Sequence, residues 1–193
     1  MLSSPGTLLI PSGLTVWFTG LPSAGKSTLA GSLQARLLAS GHRVEVLDGD
    51  EMRWHLGKEL GFDHDGRSEN VRRIGFVASL LARNGVVALC PVIAPYSATR
   101  EEVRVLHRGD FFEVYVSTSL FVCRQRDVKG LYARSDIGEV RNLTGVDDPY
   151  EVPERPDVVV STEEQSVEAC TDLIVDALAS YGTMRQARAT ESR

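Results

Sequence analysis

Short apolar runs alternate along the chain with segments whose apolar residues recur at helical spacing. The run LTVWFT at 14–19 predicts a strand, and leucines at helical spacing predict a helix over 26–39 that ends at Gly41. The same patterns predict further strands at 44–47, 86–90, 111–116 and 157–160, and further helices at 68–84, 99–107, 119–127 and 166–178. This alternation favours an α/β fold, with a parallel sheet of about five strands and helices on both faces.

The segment at 128–156 stands apart, because it has no clear period and carries three glycines and three prolines. A connection this long inside a compact domain is typical of a functional segment such as a lid, and the alternative is a disordered segment. We therefore treat residues 1–193 as a single domain with a lid at 128–156. Residues 1–13 would form an N-terminal extension, and the polar residues 182–193 a disordered tail.

Composition and charge exclude several classes of protein. The formal net charge of −5 argues against a nucleic-acid binder with a broad basic face. The three cysteines are far apart and form no CxxC pair, which argues against a disulfide framework or a zinc site. The first residues lack the features of a secretory signal, and no apolar run approaches the ~18 residues that span a bilayer. These observations predict a cytoplasmic protein that does not contact a membrane.

A glycine-rich segment between the first strand and the first helix matches the pattern GxxxxGK[ST]. Backbone N–H groups in such a loop close around phosphate oxygens, and the helix N-terminus adds partial positive charge. Lys26 would reach the β- and γ-phosphates, and the Ser27 hydroxyl would ligate Mg²⁺. The alternative is a chance match, which the strand before the loop and the helix after it disfavour. The predicted nucleotide cradle comprises Gly20, Leu21, Pro22, Ser23, Ala24, Gly25, Lys26, Ser27 and Thr28.

Two carboxylates, Asp48 and Asp50, follow the strand at 44–47. The chain has no NKxD motif of a GTPase and is short for a motor ATPase, which leaves a compact kinase for a small acceptor. Ligands of open parallel sheets lie outside the carboxyl ends of strands, so both aspartates are expected near the phosphate loop. One would organise the metal, and the other would accept a proton from an attacking hydroxyl. The alternative is a turn that caps a helix, since Asp is a good N-cap.

Basic and amide side chains follow the two aspartates. Arg67 and Asn70 bracket the predicted N-terminus of a helix at Ser68, where an anion is favoured. Arginine also makes bidentate contacts with phosphate and sulfate, so Arg53 and Arg67 predict an anionic acceptor. The alternative is a solvated helix face with scattered charge.

Several longer motifs occur in a recognisable order: GLPSAGKST, LDGDEMR, GFDHDGRSENVRRIG, VIAPY, RDVKGLY and GEVRNLTGVDDPYE. In sequence and spacing the chain resembles the adenylylsulfate kinase family over about residues 13–162. The resemblance implies the P-loop nucleoside-triphosphate kinase fold, with ATP and Mg²⁺ as cofactors. It also implies phosphorylation of the ribose 3′-hydroxyl of adenosine 5′-phosphosulfate, which yields 3′-phosphoadenylyl sulfate for sulfate assimilation. ATP sulfurylase would be a separate upstream protein, and whether the chain forms a homodimer stays open.

The resemblance also implies roles for individual residues. Asp50 would take or orient the 3′-hydroxyl proton, and Asp48 would help to organise the metal. The phosphosulfate would be held by Arg53, Arg67 and Asn70. The substrate adenine would stack on Phe62 in a slot lined by Ile93 and Ala94, and the lid would close through Lys129, Asn142 and Leu143. Two alternatives are a kinase for another small anionic hydroxyl acceptor and a nucleotide-binding module without turnover.

The chain departs from the usual family pattern at three places. Ala94 replaces a serine that has been discussed as a phosphoryl carrier, so we expect direct in-line transfer with inversion at phosphorus. Ser135, Asp136 and Ile137 replace a basic, alanine-rich stretch of the lid, and Asp136 adds negative charge there. Leu143 replaces a more usual phenylalanine, so base stacking from the lid would be weaker.

Overall fold

The computed structural model describes residues 10–191, so most of the predicted N-terminal extension lies outside the described residues. The strands and helices follow one another in the order β1 (Leu14–Thr19), α1 (Lys26–Ala39), β2 (Val44–Val46), α2 (Gly49–Leu56), α3 (His64–Arg83), β3 (Val87–Pro91), α4 (Ser97–Leu106), β4 (Phe111–Val116), α5 (Leu120–Arg126), α6 (Leu131–Asp136), β5 (Val158–Val160) and α7 (Val167–Glu191). None of the helices within residues 10–191 is long and apolar enough to cross a bilayer.

The five strands form one parallel sheet in the order β2-β3-β1-β4-β5, which confirms the predicted α/β fold. The central strand β1 is buried along its whole length. Its residue Phe18 is in register with Pro91 of β3 and Val114 of β4, so the carboxyl ends of the three strands lie at one edge. The phosphate loop that follows β1 therefore lies beside the segments that follow β3 and β4.

Alternate residues of β1 feed two hydrophobic cores. Val16 and Phe18 belong to a core that also contains Leu33 of α1 and Ile174 of α7. Trp17 belongs to a core on the other face, formed with residues of α3 and α4. The period of two along a strand and the crossover helices explain why helices cover both faces of the sheet.

Two differences from the predicted elements affect the candidate site. A helix that the sequence did not predict, α2, follows β2, and Asp48 is its N-cap. The helix α3 begins at His64 rather than Ser68, because the Asp63 side chain accepts a hydrogen bond from the Gly66 amide (2.8 Å) and caps it. The prediction that Arg67 and Asn70 bracket a helix N-terminus is therefore wrong, since both lie inside α3.

Two further differences concern the C-terminal half of the chain. The predicted lid contains a short helix, α6. The predicted disordered tail is wrong through Glu191, because α7 continues to that residue. The residues after Gly182 include no proline, and Arg185 forms an ion pair with Asp110 before β4. The absence of proline permits the helix to continue, and the ion pair links α7 to the segment before β4.

Candidate active site

A cavity of about 480 Å³ lies at the carboxyl ends of β1, β2 and β3. It brings together most of the residues that the sequence and the resemblance indicated, from the phosphate loop, α2, α3, the β3–α4 connection and the lid. The predicted residues that line it are Pro22, Ser23, Gly25, Lys26, Ser27, Thr28, Asp48, Asp50, Arg53, Phe62, Arg67, Asn70, Ile93, Ala94 and Lys129.

The phosphate loop turns tightly between β1 and α1. Gly20 and Gly25 have φ angles of 150° and 101°, which side-chain-bearing residues rarely adopt. A Cβ at Gly20 would also lie 2.5 Å from the Val116 carbonyl oxygen. Ala24 is fully buried, and its carbonyl accepts hydrogen bonds from the hydroxyls of Thr118 (3.1 Å) and Thr162 (2.9 Å). Gly20, Leu21 and Ala24 thus shape the loop from behind, although they do not line the cavity.

Lys26 is folded back onto its own loop. Its Nζ donates to the carbonyl oxygens of Gly20 (2.9 Å) and Leu21 (2.7 Å). Burial lowers the pKa of Lys26 to about 7, because the protein shields its ammonium group from water. A phosphate group bound in the loop would place negative charge beside the Lys26 ammonium and would favour its charged form.

Asp48 connects α2 with the phosphate loop. Its Oδ1 accepts hydrogen bonds from the amides of Asp50 (2.9 Å) and Glu51 (3.4 Å), which confirms the helix-cap reading. Its Oδ2 accepts a hydrogen bond from the Ser27 hydroxyl at 3.3 Å. Capping therefore leaves one carboxylate oxygen directed towards the loop.

The Ser27 hydroxyl and the Asp48 carboxylate are hard oxygen ligands of the kind that Mg²⁺ prefers. No cluster of three or more His, Cys, Asp or Glu side chains suited to a metal occurs within residues 10–191. This donor set fits Mg²⁺, which usually binds through one or two protein oxygens and completes its shell with water and substrate phosphates.

Asp50 lies in the first turn of α2, and its side chain is 73% exposed. Its Oδ2 contacts the Nζ of Lys129, which follows α5 in the lid. The lid thus reaches the carboxylate that we predicted to handle the acceptor proton.

Phe62 also lines the cavity, with 58% of its surface exposed. The guanidinium carbon of Arg53 lies 4.1 Å from the ring centroid of Phe62, and that of Arg67 lies 5.7 Å away. The Arg67 Nε also donates to the Phe62 carbonyl oxygen at 2.8 Å. This arrangement places two cations beside an exposed aromatic ring.

Asn70 lines the cavity beneath these groups. Asn70 is 9% exposed, and its Oδ1 is buried without a hydrogen-bond partner within the described residues. A buried amide oxygen without a partner is costly, so it is well suited to accept a hydrogen bond from a ligand.

The residues after β3 form another wall of the cavity. The Thr19 hydroxyl donates to the Ile93 carbonyl oxygen at 2.6 Å. Ala94 is 3% exposed and has a φ angle of 43°, in the left-handed region. These residues follow the carboxyl end of β3, and ligands of parallel sheets bind outside such strand ends.

The structure does not bring Asn142 and Leu143 to the cavity. Leu143 is 4% exposed and packs into the core that contains Val16 and Phe18. The Asn142 carbonyl oxygen instead accepts a hydrogen bond from Arg67. Both residues therefore support the site from outside the cavity in this conformation. Asp136, which seemed to add charge to the lid, forms an ion pair with Arg124.

One end of the cavity was not predicted from the sequence to bind a ligand. It contains Arg126, which donates to both the hydroxyl (2.7 Å) and the carbonyl oxygen (2.8 Å) of Thr162. Thr162 follows β5, so the strand-end rule was the available signal. The remaining unpredicted lining of this end comprises Val128, Leu131, Gln165 and Val167.

Comparisons with known proteins agree with this geometry. The family model described as adenylylsulphate kinase matches residues 12–161. The chain belongs to the adenylylsulphate kinase family. The adenylyl-sulfate kinase of Synechococcus sp. (strain JA-3-3Ab) is 56% identical over 173 residues, which cover 90% of this chain and 98% of that relative. The adenylyl-sulfate kinase of Halothermothrix orenii is 46% identical over 170 residues, which cover 88% of this chain and 91% of the relative.

Solved structures give the same result. The structure of Mycobacterium tuberculosis APS kinase in complex with AMPPNP and APS matches with a TM-score of 0.83 and 42% identity, and covers 87% of this chain and 98% of that chain. A gluconokinase from Sinorhizobium meliloti 1021, at 14% identity and a TM-score of 0.59, shares the fold alone. The matches confirm the predicted P-loop kinase fold and the prediction of an ATP-dependent adenylylsulfate kinase.

Proposed function

We propose that the protein transfers the γ-phosphoryl group of ATP to the ribose 3′-hydroxyl of adenosine 5′-phosphosulfate and so forms 3′-phosphoadenylyl sulfate. One observation carries this proposal. A single cavity joins the phosphate loop to the cluster of Arg53, Phe62 and Arg67, and the two aspartates line the same cavity. A donor and an anionic nucleotide acceptor can therefore meet in one cavity.

The phosphate loop and Lys26 would hold the donor triphosphate. Bound phosphates would replace the carbonyl contacts of Lys26 and would favour its charged form. The Arg126–Thr162 end of the cavity lies behind the loop, near Gly25, and offers a flat guanidinium for the donor base. Ser27 and Asp48 would hold Mg²⁺, which neutralises charge on the transferring phosphate when bound.

The exposed ring of Phe62 would stack on the acceptor adenine, with Ile93 and Ala94 opposite. Arg53 and Arg67 would pair with the phosphosulfate, and the side-chain nitrogen of Asn70 would donate a hydrogen bond to one of its oxygens. Asp50 would orient the 3′-hydroxyl and accept its proton as the phosphoryl group arrives. Lys129 would leave Asp50 at that stage and bind phosphate oxygens instead, which completes closure of the lid.

Transfer is expected to occur in one in-line step. Ala94 has no nucleophilic side chain and is buried. It belongs to residues 92–95 after β3, which we call the acceptor wall because they would face the acceptor. A single displacement inverts the configuration at phosphorus. When the γ-phosphorus of ATP is made chiral, the transferred phosphoryl group of the product should therefore have the inverted configuration. Retained configuration would require a phosphorylated enzyme intermediate at another residue.

A coupled ADP-release assay tests the proposal. With wild-type protein, ATP and Mg²⁺, micromolar adenosine 5′-phosphosulfate should strongly increase the rate of ADP release. Asp50→Asn should lose about 10²-fold or more of the stimulated rate, the usual range for removing a general base. The matched control is Asp65→Asn, which changes a 99% exposed carboxylate outside the cavity and should retain the rate. A wild-type protein that binds ATP without stimulation would contradict the proposal.

The proposal also has consequences outside the chain. A separate ATP sulfurylase would supply the acceptor, and both enzymes would act in the cytoplasm. A homodimer would be compatible with this scheme, because every group that we assign to the site comes from one chain.

A further inference from the structure

We propose that Arg100 is a positioning residue that joins the acceptor wall to the C-terminal end of the lid. This inference rests on the proposed function, because it concerns how the same acceptor is held. Arg100 lies on α4 and does not line the cavity. Its effect on the acceptor would therefore pass through the backbone that it holds.

Arg100 is a buried cation with three separate partners. It is 4% exposed, and its Nε lies 3.3 Å from the carboxylate of Glu113 on β4. Its Nη1 donates to the Ala94 carbonyl oxygen and its Nη2 to the Glu151 carbonyl oxygen, both at 2.7 Å. Because Glu113 balances its charge, the rest of the guanidinium fork is available to join two backbone segments.

The first of these segments is the acceptor wall. Ala94 holds a φ angle of 43°, which costs energy for a residue with a side chain and persists only where the surroundings enforce it. Arg100 fixes the Ala94 carbonyl, and Thr19 fixes the neighbouring Ile93 carbonyl at 2.6 Å. Two successive carbonyls of the wall are thus held from two different elements.

The second segment is the end of the lid. The Glu151 amide donates to the Pro95 carbonyl oxygen at 2.9 Å. The Glu151 carboxylate accepts hydrogen bonds of 2.6 Å from the amide and the hydroxyl of Ser97. The Tyr150 hydroxyl lies 2.9 Å from that of Thr19. Residues 150 and 151 are therefore attached to the wall, and Arg100 adds a further link because it donates to both the Ala94 and the Glu151 carbonyl oxygens.

The chemistry of the guanidinium makes the inference specific. One planar group spans the carbonyls of Ala94 and Glu151, whereas the single ammonium of a lysine would retain the charge but could not span both in this geometry. Without Arg100 the wall and the lid end could move apart. The acceptor should then bind more weakly, while the phosphate loop and the donor should be affected little.

Arg104 provides a matched control on the same helix. It also pairs with Glu113, at 2.9 Å, and with Asp157, at 3.2 Å. Its side-chain hydrogen bonds go to Asp157 and Glu113 rather than to Ala94 or Glu151. Removing Arg104 therefore takes a cation from the same carboxylate without releasing either segment.

Steady-state kinetics and thermal melting of Arg100→Met, Arg100→Lys and Arg104→Met test the proposal. We expect Arg100→Met to raise the KM for adenosine 5′-phosphosulfate about tenfold, the usual cost of losing hydrogen bonds from a charged donor. Its KM for ATP should stay within about twofold of wild type. Arg104→Met should lower the melting temperature yet leave the acceptor KM within about twofold. Arg100→Lys should recover melting temperature but not the acceptor KM. Equal kinetic changes in Arg100→Met and Arg104→Met, or an unchanged acceptor KM in Arg100→Lys and Arg100→Met, would overturn it.

Hydrogen exchange of the unliganded protein separates this inference from the proposed function. The backbone amides of Ile93, Ala94, Tyr96, Ser97 and Glu151 should exchange faster in Arg100→Lys than in wild type or Arg104→Met. If wild type shows no acceptor-dependent turnover, the proposed function fails, and the exchange data still decide whether Arg100 joins the two segments. Unchanged exchange in the Arg100→Lys variant would overturn the positioning role by itself.

Discussion

Asp48 does two things with its two carboxylate oxygens. One oxygen caps α2 through the Asp50 and Glu51 amides, and the other meets Ser27 of the phosphate loop. The cap fixes the carboxylate on the helix, so its free oxygen needs little reorganisation to hold a metal at the loop. The structural role of capping α2 and the proposed role in holding the metal therefore fall on one side chain.

The lowered pKa of Lys26 predicts that the protein takes up a proton when it binds ATP. Burial lowers its pKa to about 7, and negative phosphates would raise that pKa again. At about pH 8.5, where wild-type Lys26 is mostly neutral, ATP binding should take up close to one proton. Calorimetric titration in two buffers of different ionisation enthalpy measures this uptake.

Lys26→Met is the control for that titration and should show no such uptake. Equal binding heats for wild type in both buffers would contradict the prediction. Without nucleotide, the unfolded chain binds more protons than the native one between about pH 7 and 10.5. The contribution of Lys26 to the free energy of unfolding therefore rises with pH across that window and is least favourable below it.

At the scale of elements, α3 and α4 approach closely where Gly75 faces Val103. A Cβ on Gly75 would lie 2.7 Å from both γ-carbons of Val103. Alanine favours a helix over glycine by about 1 kcal/mol, but overpacking typically costs about 1–3 kcal/mol. We expect Gly75→Ala to lower the free energy of unfolding in denaturant titrations, because Val103 is branched and has no room to turn.

The double variant Gly75→Ala, Val103→Ala provides the control. Removing the two γ-carbons should relieve the clash, so the two substitutions should couple favourably in a double-mutant cycle. A Gly75→Ala variant at least as stable as wild type would contradict this account of the α3–α4 contact.

The lid gives a prediction that separates stability from activity. Lys129 and Asp50 form an ion pair whose side chains are 57% and 73% exposed, and such pairs contribute little to stability. Lys129→Met should leave the melting temperature almost unchanged but lower kcat/KM for the acceptor. Arg134→Met, which breaks another exposed ion pair in the lid, is the control and should change neither. Loss of stability without loss of kcat/KM would contradict the role of Lys129.

Sequence patterns predicted elements that bury an apolar face and missed elements that do not. The bounds of β1, α1 and β4 were predicted as observed, because strand burial and leucine spacing are strong there. The helix α2 has no buried residue, so it leaves no hydrophobic periodicity to find. The start of α3 was wrong for a related reason, since its first turn depends on the Asp63 cap rather than on core packing.

At the scale of the molecule, the site was predictable where its residues adjoin in sequence or follow strand ends. The phosphate loop and the two aspartates satisfy those conditions. The Arg126–Thr162 pair joins residues 36 positions apart. Thr162 follows a strand end, but its pairing with Arg126 is visible only in the folded chain. The expectation for Leu143 came from family resemblance, yet a leucine there is buried in the core. The sheet brings the phosphate loop, the two aspartates and the cluster of Arg53, Phe62 and Arg67 to one cavity.

The most direct test of the central claim is to identify the product. Wild-type protein would be incubated with ATP, Mg²⁺ and adenosine 5′-phosphosulfate, and the nucleotides analysed by mass spectrometry and phosphorus NMR. We predict that the acceptor gains one phosphoryl group on its 3′-oxygen while ATP becomes ADP. Release of ADP with an unchanged acceptor, or a phosphoryl group at another position, would contradict the account.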